Sequence, residues 1–189
     1  MDTTRRVKIS KYLSKHLRHT PERLGITLAP GGWVEVETLL KACAAAQFSI
    51  TRTELDQVIA LCDKQRFAFD ETRTRIRANQ GHSTIVDLQL EPRIPPDILY
   101  HGTAESSVES ILQSGLLKMN RHHVHLSESI ETAKKVGMRH GHPVVLSVDT
   151  IAMQQAGFMF YRSENGVWLV DRVPPEFLLL DHTSQGVAK

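Results

Sequence analysis

Ile9, Tyr12, Leu13, His16 and Leu17 recur at helical spacing, and Lys8, Lys11, Lys15 and Arg18 fall on the roughly opposite side of the same turns. One face packs and the other is basic. Thr20-Pro21 limits this helix, because the residue before a proline is pushed out of the α region. The pattern then predicts a short strand over 24–28, a turn at Pro30-Gly31-Gly32 and a helix over 36–46. Thr51 and Glu54 have the spacing of a capping box for a third helix running to about Lys64. Phe67 and Phe69 alternate with polar neighbours, and Arg75-Ile76-Arg77 returns as the second arm of a hairpin. Helix, strand, two helices and a hairpin suggest a winged-helix domain over residues 1–91.

Pro92-Arg93-Ile94-Pro95-Pro96 is a stiff, donor-poor stretch that fits neither a helix interior nor a central strand, so 92–96 is the expected linker. The second domain, 97–182, carries strand patterns at 98–100, 124–126, 144–148, 158–161, 167–170 and 177–180. Helical patterns at 107–114 and 129–136 each run into a glycine, Gly115 and Gly137, where a left-handed C-cap is expected. The class is α+β, with the strand pairing open and a frayed tail after Asp181.

Composition narrows the picture. With 189 residues, 41% hydrophobic, the chain fills one large or two small cores, and a net charge of +2 is too small by itself to indicate a nucleic-acid partner. Cys43 and Cys62 lack any CxxC context, which disfavours both a disulfide framework and a cysteine zinc site and predicts buried thiols. No apolar run approaches the roughly 20 residues that span a bilayer, and the N-terminus does not lead into a signal-peptide core. A soluble, cytoplasmic monomer without membrane contact is expected.

Three motifs follow one another at strand ends: His101-Gly102-Thr103 after Ile98-Leu99-Tyr100, then His125-Leu126-Ser127, then Asn165-Gly166-Val167-Trp168. They read as a nicotinamide pocket. Gly102 would let a flat carboxamide approach the backbone, and the imidazoles, hydroxyls and amide would surround a ribose. GxGxxG and GxxxxGK[ST] are absent, which excludes a Rossmann hydride carrier or P-loop reading. Arg18-His19 pairs a guanidinium with an imidazole, suited to holding a phosphate and moving a proton; alone it is equally a helix C-terminal cation worth about 0.3–1 kcal/mol. Arg77, followed by Gln80, His82 and Ser83, adds phosphate-capable groups at the edge of the proposed wing, and Arg139-His140-Gly141 adds another cation in the second domain. The histidine-rich stretch His122, His123, His125, His140 and His142 lacks the cysteines or carboxylates of a tetrahedral site, so no metal is expected. Trp33 and Trp168 read as packing residues, Trp168 alternatively as pocket wall.

Taken in order, Arg18-His19, the segment from Ile76 to Ser83, Tyr100-His101-Gly102-Thr103, His125-Leu126-Ser127, Arg139-His140-Gly141 and Asn165-Gly166-Val167-Trp168 resemble the RNA 2′-phosphotransferase family over residues 8 to 180. The resemblance implies a winged-helix lobe for RNA, an ADP-ribosyltransferase-like lobe for NAD, and a catalytic set of Arg18, His19, Arg77 and Arg139. NAD, consumed as co-substrate, would lie on His101, Gly102, Thr103, His125, Ser127, Asn165 and Val167. RNA with an internal 2′-phosphate would meet Lys8, Lys11, Lys15, Gln80, His82 and Ser83. The implied reaction moves that phosphate to NAD-derived ADP-ribose through an ADP-ribosylated RNA. Val167 stands where many ADP-ribosyltransferases carry a glutamate, and an anionic phosphate nucleophile needs no such base. Two rival readings stay open: ADP-ribosylation of terminal phosphates, and a non-enzymatic NAD-sensing winged-helix regulator. The mixed charge of Arg52, Glu54, Asp56 and Asp63 on the third helix argues against the regulator.

Overall fold

Asp2 opens the first helix, α1 (Thr3–Arg18), by accepting the Arg5 backbone N–H at 2.8 Å. Ile9, Leu13, His16 and Leu17 are its buried face, while Lys8, Lys11 and Lys15 are exposed. The segment expected as a strand at 24–28 is a different structure. Pro21–Leu24 is a 3-10 turn closed by Gly25 in the left-handed conformation (φ 62°), and the Ile26 N–H turns back to Pro21 O instead of joining a ladder. The missed strand is β1 (Val34–Glu35), which leads directly into α2 (Val36–Ala45).

Next comes α3 (Arg52–Ala60), whose capping box of Thr51 and Glu54 is formed. It stops short of Lys64, because the chain leaves helical geometry at Leu61 and takes a positive φ of 40° at Gln65. The hairpin β2 (Phe67–Phe69) and β3 (Arg75–Ala78) joins β1 in an antiparallel sheet of order β1-β3-β2, with Val34 opposite Ile76 and Ala68 opposite Arg77. Ile9, Leu13, Leu17, Leu39, Leu55 and Ile76 are fully buried at the centre of this half. The structure is a computed structural model that describes residues 1–139 and 141–180. The chain divides into two compact units, Met1–Leu90 and Glu91–Lys189.

The second unit runs β4 (Ile98–Ala104), α4 (Val108–Ser114), β5 (Leu116–Leu117), β6 (Val124–Leu126), α5 (Ile130–Gly137), β7 (Pro143–Asp149), α6 (Thr150–Gln155), β8 (Tyr161–Arg162), β9 (Trp168–Val170), β10 (Arg172–Val173) and β11 (Leu178–Leu180). All pairings are antiparallel: β11-β7-β4, β6-β9-β8 and β10-β5. The bridge between Tyr100 and Ser127 ties the first two sheets, each residue's N–H donating to the other's carbonyl at 2.8 Å.

Helix α6 was not legible as a periodic pattern; Asp149 caps it by accepting the Ala152 N–H at 2.9 Å. Its end explains why 158–160 is not strand, since the Phe158 N–H returns to Met153 O. Gly137 is not a left-handed cap either: it lies inside α5 and the helix ends through Met138 in ordinary αR geometry. Gly115 does have a positive φ (79°), but with ψ −176° it is outside the left-handed helical well. Mixed α/β describes both units, and among the described residues no helix is long and apolar enough to cross a membrane.

Candidate active site

The end of α1, the end of β3 and the Gly31-Gly32 turn gather polar groups in the first unit. The Arg18 carbonyl accepts the N–H groups of Ser83 (2.9 Å) and Thr84 (3.1 Å), so the segment after β3 is laid across the helix terminus. That contact also satisfies carbonyl capacity left open at a helix end. Ser83 Oγ lies 2.8 Å from His19 Nδ1, which fixes the exposed imidazole at one edge. Arg18 reaches inward. Its Nη2 donates to Arg66 O at 3.4 Å, and the same carbonyl accepts the Asn79 N–H at 3.0 Å. Gly81 (φ 84°) runs beside the Arg18 guanidinium, with the side-chain direction of Gly81 3.7 Å from Nη1.

Arg77 is placed by two groups that sequence reasoning assigned otherwise. Its Nη1 donates to Gly31 O at 3.3 Å, and its guanidinium lies over the Trp33 ring, 4.5 Å from the centroid. Gly31 needs to be glycine here: it has φ 82°, and a Cβ would stand 2.8 Å from the indole. Trp33 is therefore half-buried packing that also aims an arginine. Asn79 was quoted only as part of a motif; its amide donates to Gln65 O at 2.7 Å and pins the strand end. Arg18 and His19 thus contact the segment 79–84 at Gly81, Ser83 and Thr84, and Arg77 precedes it on β3, held by the Gly31-Gly32 turn against which His82 packs. Gln80 is half-buried in that segment. His82 differs from expectation: it is fully buried, packed against Gly32, and is not a group on an exposed wing edge.

In the second unit, His101 sits on β4 beside the Tyr100–Ser127 bridge. Its Nδ1–H donates to His125 O at 3.1 Å, which leaves Nε2 as an acceptor in the neutral ring. Burial pushes the imidazole below its ordinary value of 6.5, outweighing the His125 hydrogen bond, and Arg121 adds to the lowering. Arg121 Nη1 lies 3.4 Å from His125 Nδ1. Ser127 and Val167 are the residues just beyond the Leu126–Trp168 pair of β6 and β9. Val167 closes a tight turn in which its N–H donates to Ser163 Oγ (3.1 Å) and Gly166 has φ 78°, with Asn165 Oδ1 2.8 Å from that hydroxyl. Glu128, which the sequence did not single out, accepts from Trp168 Nε1 at 2.8 Å and pairs with Arg162 at 3.1 Å.

Gly102 is corrected in its reason. Its missing side chain points at α5, where a Cβ would lie 1.7 Å from Ala133 O; Gly137 likewise approaches Thr103 O, at 2.6 Å. The glycine serves helix-on-strand packing, and alternation along β4 sends His101 and Thr103 to the other face. Thr103 is buried. Arg139 is exposed one residue beyond the end cap of α5, its N–H on Val136 O at 3.2 Å. His140 lies outside the described residues.

With this geometry in view, comparison with known proteins is decisive. The model of the RNA 2′-phosphotransferase, Tpt1/KptA family matches residues 4–172. The chain belongs to this family. It is 68% identical over 178 residues to a protein of Trichormus variabilis described as "Probable RNA 2′-phosphotransferase", covering 94% of this chain and 98% of the relative. A Streptomyces griseus protein with the same description is 55% identical over 187 residues (95% and 99% covered), and one from Hahella chejuensis is 49% identical over 178 (94% and 96%). The matched span contains Arg18, His19, Arg77, Arg139 and the three strand-end motifs of the second unit.

Proposed function

We propose that this chain removes an internal RNA 2′-phosphate and transfers it to ADP-ribose drawn from NAD. The observation that carries the reading is the contact of Arg18 and His19 with the 79–84 segment, into which β3 leads from Arg77, in a member of a family named for RNA 2′-phosphate transfer. The helix, hairpin and three-stranded sheet of the first unit fit a winged-helix lobe for RNA, and the paired antiparallel sheets of the second fit an ADP-ribosyltransferase-like lobe.

The residues of the second unit suit a neutral, hydrogen-bonding ligand group. A neutral His101 offers an acceptor at Nε2, Ser127 offers a hydroxyl, and Asn165 offers an amide beside the Val167 turn. These would hold the nicotinamide end of NAD, with His125 and Thr103 as walls; NAD would supply an electrophilic ribose carbon with nicotinamide as the leaving group. The 2′-phosphate oxygen attacks that carbon, and the C–N bond to nicotinamide breaks. The ribose 2″-hydroxyl then attacks phosphorus, the bond to the RNA 2′-oxygen breaks, and a proton passes to that oxygen. The products are RNA with a 2′-hydroxyl and ADP-ribose 1″,2″-cyclic phosphate.

The chain's own contribution is electrostatic. Arg18 and Arg77 would hold the phosphate in both steps, and positive charge acts most strongly where negative charge grows on the phosphoryl oxygens. His19, hydrogen-bonded to Ser83 Oγ, is suited to hold the proton destined for the RNA oxygen. Arg139 is assigned by resemblance. The test is incubation of the pure protein with NAD and an oligoribonucleotide bearing one internal 2′-phosphate. Nicotinamide, 2′-hydroxyl RNA and the cyclic phosphate should appear in equal amounts. An ADP-ribosylated terminal phosphate with the 2′-phosphate left in place would establish the rival transfer instead.

A further inference from the structure

One face of α1 and the segment 58–66 enclose a groove of about 490 Å³, lined by Arg6, Val7, Lys11, Arg18, Leu61, Lys64 and Arg66 among others. Five cations (Arg6, Lys11, Arg18, Lys64 and Arg66) face one acid, Asp63. Between them, Val7 and Leu61 are 43% and 55% exposed, which gives the groove apolar ground inside a cationic rim. From Arg6 to Arg18 the helix extends about 18 Å at its usual rise per residue, several nucleotides long. A small anion has no use for such length or for apolar surface; a single strand has phosphates for the rim and riboses and bases for the floor.

We propose that this groove is the track for the RNA strand flanking the reacting nucleotide, with backbone phosphates on Arg6, Lys11, Lys64 and Arg66. The inference rests on the RNA 2′-phosphate reading above and extends it. Arg18 joins the two: it lines the groove, and its guanidinium lies on Arg66 O beside Gly81. The track therefore ends at the proposed phosphate site. The geometry also divides the basic face of α1. Val7, Lys11, Ser14 and Arg18 form the lining stripe, whereas Lys8 and Lys15 are exposed outside it.

The experiment compares the full-length protein with Arg6→Glu/Lys64→Glu and with Lys8→Glu/Lys15→Glu. Binding of two fluorescent RNAs with a central 2′-phosphate, one of three and one of about twelve nucleotides, is measured across a salt series. The groove pair should lose at least about tenfold in affinity for the long RNA and about 1.4 in log–log salt slope, at about 0.7 per phosphate contact. Its loss on the trinucleotide should be clearly smaller. The Lys8/Lys15 pair should lose less than the groove pair on the long RNA. Equal losses for both pairs, or an unchanged slope for the groove pair, overturn the track. If the charge reversals unfold the protein, Arg6→Gln/Lys64→Gln gives the same comparison, with the same slope change of about 1.4 for two lost phosphate contacts and a smaller loss of affinity. A wild type that transfers the phosphate while the groove pair binds long RNA normally refutes the track alone. A wild type that transfers nothing yet binds long RNA through the groove refutes the reaction alone.

Discussion

The two units hold their candidate groups in opposite ways. In the first, Arg18 and Arg77 are aimed by backbone carbonyls, Arg66 O and Gly31 O, and stand at the end of α1 and near the end of β3. In the second, His101 is embedded at a strand junction, and burial favours the uncharged ring. One arrangement keeps full positive charge and orients it; the other suppresses charge and keeps hydrogen-bonding capacity. The contrast matches the proposed division of labour, oriented charge for a phosphate in one unit and neutral hydrogen-bonding groups for a carboxamide in the other. It extends to the glycines: Gly81 runs beside an arginine, whereas Gly102 makes room for a helix.

The largest expected effect breaks the second half of that contrast. Gly102→Ala puts a Cβ 1.7 Å from Ala133 O, backbone that cannot rotate away, so α5 must move off β4. The loss of stability should exceed the usual overpacking cost of about 1–3 kcal/mol, seen as a lower melting temperature and faster amide exchange in β4 and α5. Retained wild-type stability would show that the helix does not pack as described. Gly102→Val is accordingly a folding variant and cannot serve as a clean probe of NAD binding.

Next in size are Arg18→Ala, His19→Ala and Arg77→Ala. Loss of a charge-assisted contact costs about 1.5–3 kcal/mol, or about 10–150-fold in rate, and more where charge builds up. The proposed second step builds charge on phosphorus-bound oxygens and expels a poor alkoxide, so on that reading turnover should fall while ADP-ribosylated RNA accumulates. Gel analysis of 2′-phosphate-labelled RNA decides this. Variants that leave only unreacted substrate would place the arginines' main work in the first step.

Much of this was readable from residues alone. Helical spacing gave α1 and its buried face, the Thr51–Glu54 box gave the start of α3, and alternation gave the hairpin with Arg77 on it. What escaped was set by tertiary contact. The 24–28 segment has the apolar look of a strand, but Pro21 starts a turn whose hydrogen bonds close locally. β1, β5, β8 and β10 have only two residues each, too short for any period to register. The reason for Gly102 was hidden because a glycine facing a ligand and a glycine facing a helix are the same letter. Trp33 and Asn79 act through neighbours distant in sequence, Arg77 and Gln65, and no local signal marks that.

Trp33 sharpens the carbonyl-anchored side of the comparison with a smaller effect. Removing the ring under Arg77 forfeits a cation–π contact worth about 0.5–2 kcal/mol and frees the Gly31 turn that holds Nη1. Trp33→Ala should lower kcat/KM for 2′-phosphate RNA about 2–30-fold, with kcat falling as in Arg77→Ala but by less. Trp33→Phe should recover most of it, since a smaller aromatic face remains. A variant that loses stability but keeps kcat/KM, or that Phe fails to rescue, would make Trp33 a packing residue only.

The smallest expected effect is a flat line. Burial lowers the His101 pKa from 6.5, so the ring stays neutral in the folded protein at pH values where it would already take up a proton when unfolded. The sign follows: its contribution to stability is fully present above 6.5 and is lost as pH falls below 6.5 toward the depressed folded value. NAD affinity, if it depends on a neutral Nε2, should therefore hold steady from about pH 8 down through 6.5 and weaken only below that. Titration of NAD binding without RNA, in wild type and in His101→Asn, isolates the group, because asparagine cannot gain the proton. A wild-type affinity that breaks at or above 6.5 while His101→Asn stays level would mean that His101 is hydrated and charged like an exposed histidine. The second unit would then hold its ligand by charge, as the first does, and the difference between the two sites would collapse.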